Sequence, residues 1–351
     1  MPCTRLELVQ ALSGHPRLSL ANLPTPLTYA ARFSTAVGGD VWIKRDDLTG
    51  LALGGNKARK IEYIFGNAVE RGDIDTVVTV GAPQSNHARS VAAAACLAGW
   101  DCHLVLGGDR PSRPSGNLSL DVALNAELHF AGTHDWDELE TIARSLIDQL
   151  AAAGRRALMI PVGGSTPIGA LGFVAAYLEL LEQLDEHGIA PESIMHATST
   201  GGTQAGLDFA HRVLAEGPQV IGVGVAKTQT DLARDVVTIE GGLHTLLGAD
   251  PGVVEPTVLR GYLGEAYAVP TTGGQAAFDL LAKNEAVLTD SVYSAKALHA
   301  VVDRAAKVDG PIVFWHTGGI PALFSDTAGV TAWRQTDPAS TPFHSRHKEH
   351  S

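Results

Sequence analysis

Six short runs of β-branched and apolar residues run into glycine: VVTVGA (77–82), CHLVLGG (102–108), LMIPVGG (158–164), IMHATSTGG (194–202), VIGVGVA (220–226) and IVFWHTGG (312–319). Near-continuous apolar runs of this length are buried on both faces, as the strands of parallel sheets are. Between them lie NKARKIEYIFGNAVERG, SNHARSVAAAACLAG, DWDELETIARSLIDQLAAAG and TQAGLDFAHRVLAEG, whose apolar residues recur at helical spacings of three and four. Parallel strands need crossovers, and the alternation supplies them. The chain is therefore predicted to stack βαβ units into an α/β fold of open, mostly parallel sheets with helices on both faces. Ligands of such sheets sit at the carboxyl ends of strands, where these glycine turns fall. At 351 residues, with domains of about 150, two domains are expected.

Composition narrows the function. Hydrophobic residues make up 45% of the chain and charged residues 18%, which is a packed globule and not a disordered chain. Acidic residues outnumber Lys and Arg by 38 to 26, and the net charge of −12 argues against nucleic acid or an anionic membrane as partner. Cys3, Cys96 and Cys102 are odd in number and form no CxxC pair, so neither a disulfide framework nor a thiolate metal cage is expected, and a reducing cytoplasm fits. The N-terminus MPCTRLELVQ has no apolar stretch of signal-peptide kind. The most apolar window, Val91 to Leu106, is interrupted by Asp101 and His103, so no membrane span is expected. From Thr336 onward the composition is that of a solvated terminus; its His344, His347 and His350 are assigned no chemistry, and no metal is expected.

Three strand–turn–helix segments carry the candidate chemistry. In IKRDDLTGLALGGNKARKIEY a strand, VWIKRDD, leads through Gly50, Gly54 and Gly55 into a helix beginning near Asn56, which puts Lys57 in the first turn. The positive end of the helix dipole opposes a cation there and favours the neutral amine that Schiff-base chemistry uses. Taken alone, the feature is more plainly an exposed surface lysine, like Lys44 or Lys60. In VTVGAPQSNHARSVAAAACLAG, residues Gln84, Ser85, Asn86 and His87 open an alanine-rich helix whose unpaired N–H groups suit a carboxylate. Ser85 also fits as an N-cap, and the two roles are compatible. GxSxG is absent, and no triad spacing surrounds Ser85. In IMHATSTGGTQAGLDFAHR, the bend at Thr200, Gly201, Gly202 and Thr203 combines hydroxyls, close backbone and helix dipole into a cup for one phosphate. It is neither a Walker loop nor a GxGxxG fingerprint.

These segments, with LPTPLTYAARFS, IPVGGSTPIGALGF, AVLTDSVYSAKAL and HTGGIPALF, occur in the order of one family and span nearly the whole chain. The chain resembles the pyridoxal-phosphate enzymes of the D-cysteine desulfhydrase and 1-aminocyclopropane-1-carboxylate deaminase group, within the tryptophan-synthase-β-like fold type II. The resemblance implies two doubly wound three-layer αβα domains with pyridoxal 5′-phosphate in the cleft between them. Residues 1–53 with 166–340 would form the large cofactor-binding domain, 54–165 the small one and 341–351 a tail. By position, Lys57 would hold the cofactor as a Schiff base, and Asn86 would contact the pyridine O3′. Thr200, Gly201, Gly202 and Thr203 would cradle the phosphate, and Thr317 would meet the pyridine nitrogen. Ser85, Asn86 and His87 would face the substrate carboxylate. Tyr267 and Tyr293 would stand over the reacting carbon, although both also fit as half-buried aromatics satisfying a hydroxyl. His316 is expected to be structural and Lys296 to lie on the surface, and the resemblance implies a homodimer.

The chemistry implied is α-proton removal by Lys57 from a small amino acid, followed by β-elimination. D-cysteine giving pyruvate, sulfide and ammonia is the leading expectation. L-cysteate sulfo-lyase and cyclopropane deaminase activities are the alternatives within the family, and a β-replacement synthase or a non-catalytic pocket protein the alternatives outside it. Deaminases of the family carry a glutamate after the active-site tyrosine, whereas this chain has Ser294 after Tyr293 and offers the neutral Thr317, which favours elimination over ring opening. Ser165, Thr166 and His87 are candidate donors to a sulfonate, each with a structural role also available.

Overall fold

A computed structural model describes residues 2–226 and 228–325. Its strands in chain order are β1 (Leu27–Tyr29), β2 (Val41–Arg45), β3 (Thr76–Gly81), β4 (Asp101–Leu106), β5 (Glu127–Phe130), β6 (Ala157–Ile160), β7 (Ser193–Thr198), β8 (Gln219–Gly224), β9 (Val258–Leu259) and β10 (Ile312–His316). They form a six-stranded sheet in the order β1-β2-β10-β7-β8-β9 and a four-stranded sheet in the order β5-β4-β3-β6. β1 is antiparallel to β2, and the other pairs are parallel. All six glycine-ended runs are strands, and β3 and β10 are buried along their full length. The sequence reading passed over β1, β5 and β9, which are sheet edges of two to four residues. An edge strand needs no continuous apolar run, so its pattern is weak.

The helices follow the expected segments. In the helix Lys57–Arg71, Ile61, Ile64, Phe65 and Ala68 share one buried face, and Gly72 ends it at φ 67°. The helix Asn86–Ala98 is capped by Ser85, whose Oγ accepts the Ala88 N–H at 3.1 Å. The helix Pro167–His187 is capped in the same way by Thr166, Oγ1 to Gly169 N–H at 3.0 Å, and forms the centre of the largest apolar core. It is the one described helix long and apolar enough to cross a membrane, and 67% of its most apolar window is buried inside the protein. The window 91–106 divides instead between the helix Asn86–Ala98 and β4.

Strand order locates the crevice. In the four-stranded sheet the chain passes from β3 outward to β4 and β5, then returns to the other side of β3 as β6. In the six-stranded sheet it passes from β7 to β8 and β9, then returns to the other side of β7 as β10. Each reversal opens a crevice at the carboxyl ends of the flanking strands. The turns after β3, β6, β7 and β10 all line one cavity of about 360 Å³. The residues expected in the C-terminal tail, His344, His347 and His350 among them, lie outside the described residues.

Candidate active site

The loop ahead of Lys57 is built by backbone constraint. Gly54 and Gly55 have φ of +74° and +116°, and a Cβ on Gly54 would stand 2.1 Å from the Asp47 carbonyl oxygen. Thr49 Oγ1 accepts the Gly55 N–H at 2.8 Å, and the buried Arg89 guanidinium donates to the carbonyls of Gly54, at 2.8 Å, and Ala52. Asn56 donates its N–H to the Thr317 carbonyl at 2.9 Å and its Nδ2 to Thr203 Oγ1 at 3.0 Å. Lys57 is thereby fixed between the turn after β10 and the glycine turn after β7. Its Nζ donates to Asn56 Oδ1 at 3.1 Å. Burial lowers its pKa to about 8, with the Asp290 carboxylate opposing that fall and the Arg89 charge adding to it. At pH 7 about one molecule in ten then carries the neutral amine.

The glycine turn forms the expected cup, with an addition. Gly201, at φ 82°, caps the helix Gly202–Leu214, whose first N–H groups point to the turn. Thr200 Oγ1 and Ser165 Oγ are 2.7 Å apart, and the Gly202 N–H donates to Ser165 Oγ at 3.2 Å. Beneath them Lys60 Nζ donates to Ser165 Oγ and the Gly163 carbonyl, each at 3.2 Å. Lys60 is fully buried, and burial with the neighbouring charge of Lys57 holds its pKa well below the usual lysine value. The surface positions expected for Lys44, Lys60 and Lys296 are therefore corrected: each is buried, with Lys44 donating to the Thr25 carbonyl at 2.7 Å and Lys296 to the Leu263 carbonyl at 2.6 Å. Buried lysine side chains are tolerated where internal acceptors replace water, and those acceptors come from distant parts of the chain.

On the opposite wall Ser85 and Asn86 occupy the helix start, and Asn86 Oδ1 accepts from Asn117 Nδ2 at 2.9 Å. His87 is placed differently from a carboxylate donor. Thr79 Oγ1 donates its hydrogen to the Ile160 carbonyl at 2.7 Å, so at 2.9 Å from His87 Nε2 it accepts, and Nε2 carries the ring proton. Nδ1 is then a lone pair, buried without a hydrogen-bond partner. Burial first, then the charges of Lys57 and Lys60, keep the ring neutral. His87 thus has no side-chain N–H to offer the site.

Tyr267 and Tyr293 face the cavity with their hydroxyls hydrogen-bonded to each other and their ring centroids 6.0 Å apart. Burial raises the pKa of both, so both stay neutral. The buried Asp290 carboxylate, absent from the sequence reading, accepts the N–H groups of Val292, Tyr293 and Ser294 at 2.9, 2.8 and 2.9 Å. Ser294 Oγ hydrogen-bonds Asp290 and the Gly318 carbonyl, so it is turned into the backbone. His316 is structural as expected, with Nε2 to the Leu288 carbonyl at 2.8 Å and Nδ1 accepting the Gly318 N–H at 3.1 Å.

Of the expected site residues, Lys57, Ser85, Asn86, His87, Thr200, Gly201, Thr203, Tyr267, Tyr293 and Thr317 line the one cavity, and Gly202 lies just behind its wall. Trp136, Asp137 and Glu140, from the helix Trp136–Ala152, line it too; their i, i+1, i+4 spacing marks a helix face and nothing more in sequence. The donor set suits pyridoxal phosphate. An amine with pKa near 8 is apposed to a cup of N–H groups, hydroxyls and a buried lysine. At Gly163 a Cβ would fall 2.4 Å from Thr200 Oγ1, so only glycine lets the two turns close.

The model of a pyridoxal-phosphate dependent enzyme family matches residues 18–318. The chain is 38% identical over 327 residues to a D-cysteine desulfhydrase of Serratia proteamaculans, covering 91% of this chain and 98% of that protein. It is 37% identical over 332 residues to one of Yersinia enterocolitica, again covering 91% and 98%. The crystal structure of an ACC deaminase homologue superposes with a TM-score of 0.85 at 35% identity, covering 91% of this chain and 96% of that one. The chain belongs to the pyridoxal-phosphate dependent enzyme family that these proteins share.

Proposed function

We propose that the protein is a D-cysteine desulfhydrase, converting D-cysteine and water to pyruvate, sulfide and ammonia. The observation that carries the reading is Lys57: an amine of depressed pKa, held by Asn56 between the phosphate cup and the Ser85–Asn86 helix start. When bound, pyridoxal phosphate supplies an electron sink conjugated to the substrate α-carbon. Lys57 would hold it, and Thr200 to Thr203 with Lys60 would bind its phosphate. Thr317 would offer a neutral hydroxyl to the ring nitrogen. The N–H groups at Ser85–Asn86 would orient the substrate carboxylate. Lys57 Nζ would take the α-proton, and the Tyr267–Tyr293 pair, neutral and mutually hydrogen-bonded, is suited to carry a proton to the leaving thiolate.

Two features weigh against a sulfonate substrate. Ser165 and Thr166 are occupied, at the cup and at a helix cap, and the one ring N–H of His87 is bound to Thr79, so none of the three is a free donor to a sulfonate. Asp137 at the cavity adds negative charge near any second anion. Ring opening of a cyclopropane is disfavoured because Ser294 is turned away from the cavity. The test is keto-acid and sulfide release from D-cysteine, L-cysteine, β-chloroalanine, L-cysteate and 1-aminocyclopropane-1-carboxylate. Expected are equal amounts of pyruvate and sulfide from D-cysteine, with Lys57→Ala losing both turnover and the cofactor's bound visible absorption. Faster keto-acid release from L-cysteate or the cyclopropane would reassign the substrate.

A further inference from the structure

At the edge of the four-stranded sheet, β5 places Glu127 and His129 on one face, two residues apart, and β4 places His103 directly opposite Glu127. The other face of β5 packs Leu128 and Phe130 into the core, so the register that buries them also gathers the three polar side chains. His103 Nδ1 lies 3.0 Å from His129 Nε2, and Glu127 reaches both rings, Oε2 at 3.5 Å from His103 and Oε1 at 3.6 Å from His129. A tetrahedral cation bound at about 2.0–2.2 Å holds its donor atoms roughly 3.3–3.6 Å apart. The separations already present, 3.0, 3.5 and 3.6 Å, lie within a few tenths of an ångström of those edges; Glu127 meets the two rings through different oxygens, so its exposed side chain has only to turn to bring one oxygen to both. We propose that His103, Glu127 and His129 bind a divalent transition-metal ion of the zinc class.

Two imidazoles with one carboxylate favour zinc, cobalt or nickel over magnesium or calcium, which take all-oxygen sets. In the metal-free protein the two ring nitrogens share one hydrogen; a cation takes both lone pairs instead. Glu127, with its side chain 65% exposed, leaves the site open on the solvent side, where water completes the coordination. None of the three lines the active-site cavity, which is built from turns at the strands' carboxyl ends. The ion would therefore clamp an edge strand to its neighbour, apart from the catalytic cleft.

The test is titration of the full-length holoenzyme with Co²⁺, read by d–d absorption, and with Zn²⁺, read by melting temperature. The protein used carries alanine at His344, His347 and His350, so that the terminal histidines add no sites. Expected are one Co²⁺ per chain and a melting temperature that rises with Zn²⁺. His129→Ala and, separately, Glu127→Gln are expected to weaken binding at least about tenfold, by the scale of ligand-shell losses. Cofactor absorption and turnover stay unchanged in both variants and report an intact fold. Unchanged affinity in Glu127→Gln and in a folded His129→Ala, or no d–d band at all, overturns the site.

Discussion

Lys57 differs from an ordinary lysine through what burial and two neighbours do to its proton. Moving the pKa from 10.5 to about 8 raises the neutral fraction at pH 7 by about 300-fold, which is the difference between an inert and a reactive amine. Cofactor capture by the cofactor-free protein should therefore accelerate with pH, with a midpoint near 8 instead of above 10. Asp290 supports the charged form, so Asp290→Asn should move that midpoint lower. The same change leaves at least one of the N–H groups at Val292 to Ser294 without an acceptor and should cost about 1–3 kcal/mol of stability. Stopped-flow recovery of bound-cofactor absorption across pH 6 to 11 measures the midpoint, and equal midpoints in both proteins would exclude electrostatic tuning by Asp290. Lys57 was legible through the family resemblance of the segments around it; its glycines and helix start alone read more plainly as a surface lysine. Asp290, Arg89 and Lys60 were not, because a charged residue at a helix start or on a helix face looks solvated until the fold covers it.

The helices meet through glycines whose role no periodicity shows. A Cβ on Gly172 would lie 2.1 Å from the Arg59 carbonyl oxygen, where the helix Pro167–His187 crosses the helix Lys57–Arg71. Gly241, exposed in the helix Gln229–Leu247, has nothing within 4 Å of that position. Alanine gains about 1 kcal/mol of helix propensity at either site. At Gly172 the overlap with backbone, about 1–3 kcal/mol or more, outweighs it. Gly172→Ala should lower the melting temperature and Gly241→Ala should raise it; calorimetry showing the same sign for both would refute the close-crossing argument. The elements themselves were largely legible: the buried strands announced themselves as apolar runs and the major helices by period. β1, β5 and β9 escaped because edge strands are short and half-solvated, and the register that joins His103 to Glu127 and His129 escaped with β5. Sequence likewise could not say that the proton of His87 points to Thr79 and not to the cavity, since that depends on a carbonyl in β6.

The segments that frame the cleft are held together by one buried ionic network. Arg59, two residues beyond Lys57, donates to both Asp46 oxygens at 2.9–3.0 Å, to Glu179 Oε1 and Oε2 at 2.8 and 2.9 Å, and to Thr25 Oγ1 at 2.9 Å. Lys44 of β2 pairs with the same Glu179, and Gln183 donates to the Thr25 carbonyl at 2.9 Å. The N-terminal arm, β2, the helix carrying Lys57 and the central helix Pro167–His187 are thus fastened at one point. Burial alone would raise the Glu179 carboxyl, but the hydrogen bonds and charge of Arg59, then Lys44, more than offset it and hold the pKa at about 2. A carboxyl depressed on folding contributes stability that is complete above its unfolded value of about 4.5 and is lost as pH falls through about 2. The contribution is about 3 kcal/mol. Glu179→Gln removes it and leaves Arg59 and Lys44 short of a counter-charge, so the expected loss at pH 7 is about 3–5 kcal/mol. The wild-type and variant curves of stability against pH should then converge between pH 4.5 and 2. Urea unfolding in that range decides the matter: curves that stay parallel would mean the network holds geometry without contributing electrostatic stability. Because Arg59 lies on the first turns of the helix that bears Lys57, the same variant should release cofactor faster at pH 7 than wild type, measured by decay of bound absorption on dilution. Retained cofactor in a measurably destabilised variant would show that the loop held by Arg89, and not this network, positions the amine.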